Sequence, residues 1–356
     1  MTEPNAMAAE LLEASASGYA AAVASSVLED EAIRSRFGPG GMASWKAHFV
    51  QRLLELAAAV RVGEPELFAA RVVWQKKAFL AQEESNPDDL RQGIVTMKAV
   101  LSVELPENLS QVVGPYLDGA LAALDAEYAP DPSELDPSDA TAALTLKYLA
   151  ACLEGDPRRA IELVLDAARE GMPMRTIYAG VLLPAQREIG RMWHTAEAGI
   201  AEERVVSDTT RRLMALLTHE QTPVAATGRT VLAAAVASNA HDIGIRAVAD
   251  LFEAAGWRVI CLGADVPSTE IATAARFFDV DLVVLATTLT TQLKQLQATI
   301  DAIRSSRGDE AKILVGGHVF ADAPELWKSL GADGYAPDAG AAVETGGDLV
   351  GLPVDG

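Results

Sequence analysis

"TVLAAAVASNAHDIGIRAV" (residues 230–248) joins an unbroken apolar run to a helix-forming segment through a short polar stretch, Ser238 to Asp242. A continuous run of β-branched and small apolar residues suits a strand covered on both faces of a parallel sheet. The polar stretch then falls at the carboxyl end of that strand, where open α/β sheets bind their ligands. His241 stands in it, two residues after Asn239 and three before Gly244. A histidine there is either an ordinary turn residue or a ligand, and the spacing of the neighbouring loops has to decide.

Working outward, "RVICLG", "LVVLATT" and "KILVGG" repeat the short apolar run at intervals filled by helical segments, with "ADGYAP" as a weaker fifth. Strands alternating with helices over residues 229–350 predict a flavodoxin-like, Rossmann-like domain with a five-stranded parallel sheet. Upstream, residues 141–221 carry four helical patterns with short connections, a four-helix bundle. Residues 129–140, rich in proline and aspartate, read as a linker. Residues 1–128 are helical throughout: a first helix over about 6–30, a turn at "GPGGM" (38–42), then four further helices. Trp45, Phe49, Leu53, Leu56 and Val60 recur at steps of three and four in one of them. The fold class is therefore multidomain: an all-α N-terminal domain, a helical bundle and an α/β domain.

Half of the 356 residues are apolar, only 5% are aromatic, and the formal net charge is −21. Such a charge argues against binding along nucleic acid, which needs a basic stripe, and against an anionic membrane surface. The two cysteines, Cys152 and Cys261, form no CxxC pair and read as small buried hydrophobes. No basic n-region precedes an apolar run at the N-terminus, and no stretch of eighteen apolar residues occurs, so a cytoplasmic protein is expected.

The loops settle the histidine. From Gly244, 42 residues pass before Thr287-Thr288-Leu289, and from Leu289 another 26 before Gly316-Gly317. Asn239-Ala240-His241-Asp242-Ile243-Gly244 and these two elements together resemble the cobalamin-binding domain, whose pattern is Asp-x-His-x-x-Gly, Ser-x-Leu and Gly-Gly at these intervals. The resemblance spans about residues 140–345. It implies that the cofactor's own base is displaced, that His241 becomes the lower cobalt ligand, and that Thr287, Leu289, Gly316 and Gly317 border a slot for the displaced tail. Gly244 would open the next helix without crowding the ring. The chain departs from the pattern at Asn239, where the family has aspartate. A neutral amide orients the histidine but pushes less electron density to the metal, so weaker lower ligation is expected unless Asp242 supplies the charge.

"REIGRMWHTAEAGIAEERVV" (187–206) resembles the helical cap of the same family, a tryptophan followed ten residues later by Glu-His. Trp193 and Glu203 match; Arg204 replaces the histidine. The adjacent pair Trp193-His194 is similar to that of cobalamin-dependent photoreceptors. There the adenosyl group sits under the tryptophan and the histidine fills the upper site after light. A helical module ahead of cap and cobalamin domains resembles the photocobilins, which pair adenosylcobalamin with biliverdin. That resemblance implies a light sensor without catalytic residues, whose homo-oligomeric state changes with light and which signals to a downstream protein. A bilin would need apolar walls and cations, for which Trp45, His48, Arg71 and Trp74 are candidates. The alternative is a corrinoid methyl carrier serving a methyltransferase.

Overall fold

The computed structural model describes residues 2–81, 86–127, 132–222 and 224–352 and divides into two compact units, Met1–Pro130 and Asp131–Gly356. The ends of the expected third helix (82–83) and of the N-terminal domain (128), and linker residues 129–131, lie outside the described residues.

The first unit is built from α1 (Glu3–Val27), α2 (Glu31–Phe37), α3 (Gly41–Val62), α4 (Pro65–Ala81), α5 (Pro87–Glu104) and α6 (Glu107–Leu124). The apolar stripe of α3 packs as its spacing requires: Phe49, Leu53, Leu56 and Val60 are fully buried and Trp45 nearly so. The first helix stops three residues before the expected end, and α2, unforeseen, follows. Asp30 explains it, because its carboxylate accepts the free N–H groups of Ala32 (2.8 Å) and Ile33 (3.3 Å), a strong N-cap.

In the second unit, α7 (Ala140–Leu153), α8 (Pro157–Arg169), α9 (Met174–Ile177) running through a π turn (Tyr178–Leu182) into α10 (Leu183–His194), and α11 (Ile200–His219) make the four-helix cap. The π turn has a local cause. Pro184 lacks the N–H that would bond the Gly180 carbonyl, and the Thr145 hydroxyl of α7 donates to that carbonyl instead (3.0 Å).

The α/β portion follows as β1 (Thr230–Val236), α12 (Ile243–Ala254), β2 (Arg258–Val266), α13 (Ser268–Phe277), β3 (Leu282–Ala286), α14 (Leu293–Arg307), β4 (Lys312–Gly316), α15 (Val319–Asp322), α16 (Leu326–Ser329), β5 (Gly334–Ala336) and α17 (Ala339–Leu349). The five strands are parallel in the order β2-β1-β3-β4-β5, the flavodoxin-like order, with β1 and β3 adjacent at the switch point. Every residue of β1 is buried, whereas the edge strand β2 is largely open. Cys152 is buried as expected, but Cys261 lies on that open edge and is exposed.

Cap and sheet share one core. Ile243, Ala247 and Leu251 on one face of α12 pack with Val206, Leu213, Met214 and Leu217 of α11. Polar ties flank this seam: the Tyr178 hydroxyl donates to Asp250 (2.6 Å), and Arg211 pairs with Asp242 (2.9 Å). No single helix among the described residues is long and apolar enough to cross a membrane.

Candidate functional site

The loop between β1 and α12 is fixed from several sides. Asn239 is fully buried; its amide nitrogen donates to the Ala286 carbonyl at the end of β3 (3.0 Å). Its amide oxygen accepts the backbone N–H of His241 (3.2 Å) and faces the His241 Nδ1 at 3.2 Å. An amide oxygen can only accept, so Nδ1 carries the ring proton and Nε2 keeps its lone pair for a metal. The imidazole remains accessible, and desolvation by the groups around it lowers its pKa. The Glu203 charge opposes that shift, and Arg204 reinforces it. A neutral ring with a free Nε2 is the form that ligates cobalt or any other transition metal.

That Glu203 and Arg204 act on His241 places the first turn of α11 within electrostatic reach of the histidine loop. The Ser207 hydroxyl lies 2.7 Å from the Glu203 carboxylate and 3.0 Å from the Gln186 amide oxygen. Gln186 in turn donates to the Thr210 hydroxyl, which meets the Tyr148 hydroxyl (2.8 Å each). This buried polar chain behind Glu203 had no signal in the sequence beyond isolated hydroxyls on helices. At the last turn of α10, Trp193 turns outward and is 46% exposed, while His194 turns inward and is 7% exposed.

The other two loops meet at the same edge. Thr287 is fully buried, and its hydroxyl has no partner within the chain. Leaving such a group unpaired costs about 1–3 kcal/mol, so a ligand atom there would recover it. Gly317 has φ +114°, and a Cβ on it would stand 2.2 Å from the Thr287 carbonyl oxygen. Gly316 is less constrained, with the Ala336 carbonyl oxygen 3.1 Å from an added Cβ. The glycine pair was expected to spare a ligand's tail from a side chain; the contact present is with the chain's own β3 loop. Around Gly244 an added Cβ would meet nothing within 4 Å, leaving open space beside the histidine.

Asp242 makes no hydrogen bond to the His241 Nδ1, which is bonded to Asn239, although its charge acts on the ring and opposes the lowering of the ring's pKa by burial. Its carboxylate is held by Arg211 (2.9 Å) and Arg246 (2.6 Å). Burial alone would raise its pKa, but the two guanidiniums outweigh burial and lower it. Ile243, the next residue, is buried in the cap–sheet core. Leu289, half-buried, remains at the rim, and its N–H is capped by Gln292. The donor set fits a corrinoid: one oriented neutral imidazole, one orphaned hydroxyl, and open space at Gly244 beside the histidine.

The four candidates in the first unit also converge. Trp45 and His48 meet edge to face (5.5 Å), Arg71 lies over the Trp74 ring (4.3 Å), and Arg52 and Glu55 link them. Arg52 pairs with Glu55 (2.9 Å) and donates to the Arg71 carbonyl (3.3 Å), and Arg71 lies 3.6 Å from Glu55. The Trp45 Nε1, His48 Nε2, Arg52 Nε and Glu55 Oε2 atoms are buried without a hydrogen-bond partner. Burial, reinforced by Arg52, pulls the His48 pKa down to about 3.

Comparison with known proteins agrees with this geometry. Residues 229–344 match the B12 binding domain, and residues 146–218 match a second B12 binding domain that corresponds to the cap. Dimethylamine corrinoid protein 3 of Methanosarcina mazei is 31% identical over 117 residues, 32% of this chain and 68% of that protein. A corrinoid protein of Desulfitobacterium hafniense is 26% identical over 208 residues, 56% of this chain and 94% of that one. Among solved structures, the monomethylamine corrinoid protein of Methanosarcina barkeri shares the fold, with a TM-score of 0.51 at 20% identity. It covers 59% of this chain and 100% of that one.

Proposed function

Because the chain belongs to the B12-binding corrinoid proteins, we propose that it is a corrinoid carrier. In this reading it holds cobalamin between sheet and cap and presents the upper face to a methyltransferase partner. The alignment carries this reading: 208 residues of this chain correspond to 94% of a corrinoid protein. Bound cobalamin supplies a cobalt–carbon bond that can be made and broken. The chain's residues do the rest. His241 would offer Nε2 to the metal, with Asn239 holding its ring by Nδ1. The Thr287 hydroxyl would hydrogen-bond the cofactor near Gly316 and Gly317. Trp193 and Glu203 guard the upper face, and the Arg211–Asp242 pair keeps α11 seated while a partner gains access. A carrier is a substrate for its partner and not itself the catalyst.

The test is methyl transfer. Protein loaded with methylcobalamin in the dark is mixed with candidate methyltransferase fractions and a thiol acceptor, and the cobalamin spectrum is followed. Demethylation that needs the partner and disappears in His241→Ala supports the carrier.

A second reading, a light sensor using adenosylcobalamin, is favoured by two observations. His194 is buried, next in sequence to the exposed Trp193. The first unit also gathers unpaired buried polar atoms around Trp45 and His48, with Arg71 and Trp74 alongside, a setting for a second, planar chromophore such as biliverdin. In this reading His194 would be available to ligate the metal after illumination, and the homo-oligomer would change. Illuminating adenosylcobalamin-loaded protein and measuring mass in solution separates the two readings. A light-dependent change in assembly that His194→Ala removes supports the sensor, as does a red absorption band that appears on adding biliverdin.

A further inference from the structure

The histidine loop is staked by two residues that belong to none of the motifs. Ser238 and Asp265 both adopt left-handed backbone conformations, φ 65° and 53°, which non-glycine residues rarely hold without compensation. They compensate each other. The Asp265 carboxylate accepts the Ser238 N–H (2.6 Å), and the Asp265 N–H donates to the Asn239 carbonyl (3.0 Å). The register of β2 against β1 slips twice near this end, after Ala233 and after Ala234, and those bulges bring Asp265 to the loop. From the opposite side comes Gln292, 1% exposed, at the start of the helical segment after β3. Its amide nitrogen donates to the Ser238 carbonyl (3.0 Å), while its amide oxygen accepts the N–H groups of Thr288 and Leu289 (3.0 Å each). One buried amide therefore ties the histidine loop to the Thr287–Leu289 loop, and both polar groups of the Ser238 backbone are held from outside its own loop.

We propose that Gln292, with Asp265 as its counterpart, is a positioning residue for the lower ligand: it sets where His241 stands relative to the β3 loop and so how much of the bound corrinoid is coordinated by histidine. The inference rests on the cobalamin reading. Its logic is geometric. Ser238 adjoins Asn239, and Asn239 holds the imidazole, so releasing the Ser238 carbonyl frees the base of the ligand arm. The buried hydrogen bonds of Asn239 to Ala286 and of Gln292 to Thr288 and Leu289 would still keep the fold.

Gln292→Glu tests this because it is isosteric and separates the two ends of the side chain. In the ionised form, which measurement at alkaline pH secures, one carboxylate oxygen still caps Thr288 and Leu289, but the other faces the Ser238 carbonyl and can only accept, so that link is lost. Wild type, Gln292→Glu, Gln292→Leu and Asp265→Asn are loaded with hydroxocobalamin and reduced to the cobalt(II) state. The fraction of the paramagnetic resonance signal split by an axial nitrogen is then measured, with thermal melting alongside. The result expected is at least a threefold fall in that fraction in Gln292→Glu with cobalamin still bound, and near wild-type coordination in Asp265→Asn, which keeps an acceptor for the Ser238 N–H. A Gln292→Glu protein with an unchanged nitrogen-split fraction, whatever its melting temperature, overturns the proposal, since Gln292 is then only structural. If wild type itself shows the same signal as His241→Ala, the cobalamin reading fails first, and this inference fails with it.

Discussion

His241 and His48 are two imidazoles that their surroundings hold in the neutral form, yet they are built into the molecule in different ways. His241 sits on a loop, with Nδ1 bonded to a buried amide that is itself bonded to β3, and its ring remains accessible. His48 sits within α3, packed edge-on to Trp45 and Phe49, with Nε2 buried and unbonded. The first is oriented as a ligand would be, with Nδ1 bonded and Nε2 left for a metal. The second has no such orientation, and its neutrality comes mainly from desolvation, reinforced by Arg52. A lowered pKa alone therefore does not mark a ligand; the hydrogen bond that fixes the tautomer does.

The largest effect should come from removing the oriented imidazole. His241→Ala is expected to lose histidine coordination altogether and to weaken cobalamin binding by roughly tenfold or more, since even outer-shell changes at metal sites cost about 10–100-fold. Titrating hydroxocobalamin and following its absorption measures this; unaltered affinity and spectrum would remove the distinction between the two histidines. Gly317→Ala should come next. Its Cβ meets the Thr287 carbonyl at 2.2 Å and its backbone is left-handed, so a loss of about 2–4 kcal/mol in denaturant unfolding of the cofactor-free protein is expected.

Asn239→Asp restores the family's residue and sharpens the comparison. The carboxylate would face the Ala286 carbonyl, where the amide nitrogen now donates at 3.0 Å. A loss of about 1–3 kcal/mol follows at neutral pH, because a buried donor is replaced by an acceptor. An equally stable variant would mean that the loop re-forms around the carboxylate. The smallest effect at neutral pH is that of His48→Phe, which removes an unbonded nitrogen and should leave stability within about 1 kcal/mol. Its signature is pH dependence. A folded-state pKa of about 3 against 6.5 unfolded means that the unfolded chain takes up the proton first. Wild-type stability therefore falls as pH drops from about 6.5 toward 3, and His48→Phe should flatten that slope. Parallel slopes for the two proteins would show that His48 is not sealed.

The α/β portion was legible because its signals are local and repeated. The runs from Thr230 to Val236 and from Leu282 to Ala286 are almost wholly buried, and turn residues bound them. The spacing of His241, Thr287 and Gly316 follows from strand and helix lengths, so three loops at one sheet edge could be read from intervals alone. Gln292 could not be found that way. In "TTLTTQL" a glutamine looks like an ordinary helix start, and its partner, the Ser238 carbonyl, lies 54 residues away. Asp265 was equally hidden, since its place depends on bulges in β2 that no composition signals. Around Trp45 the opposite problem arose. Trp45, Phe49 and Arg52 repeat at helical spacing, and that repeat reads as core whether or not polar atoms are left unpaired inside it. Asp242 acts less directly than its place in the sequence suggests: its charge reaches the His241 ring, but its carboxylate is bonded to Arg211 and Arg246.

The central claim is that this chain's own histidine, and not the cofactor's base, is the lower ligand. The direct measurement is paramagnetic resonance of the cobalt(II) form bound to protein whose histidines alone carry nitrogen-15. The axial nitrogen splitting is expected to change from the triplet of nitrogen-14 to the doublet of nitrogen-15, and His241→Ala to lose it. A triplet that persists in the labelled protein would show that the cofactor keeps its own base, and would contradict the roles of His241, Asn239 and the slot at Gly316 and Gly317.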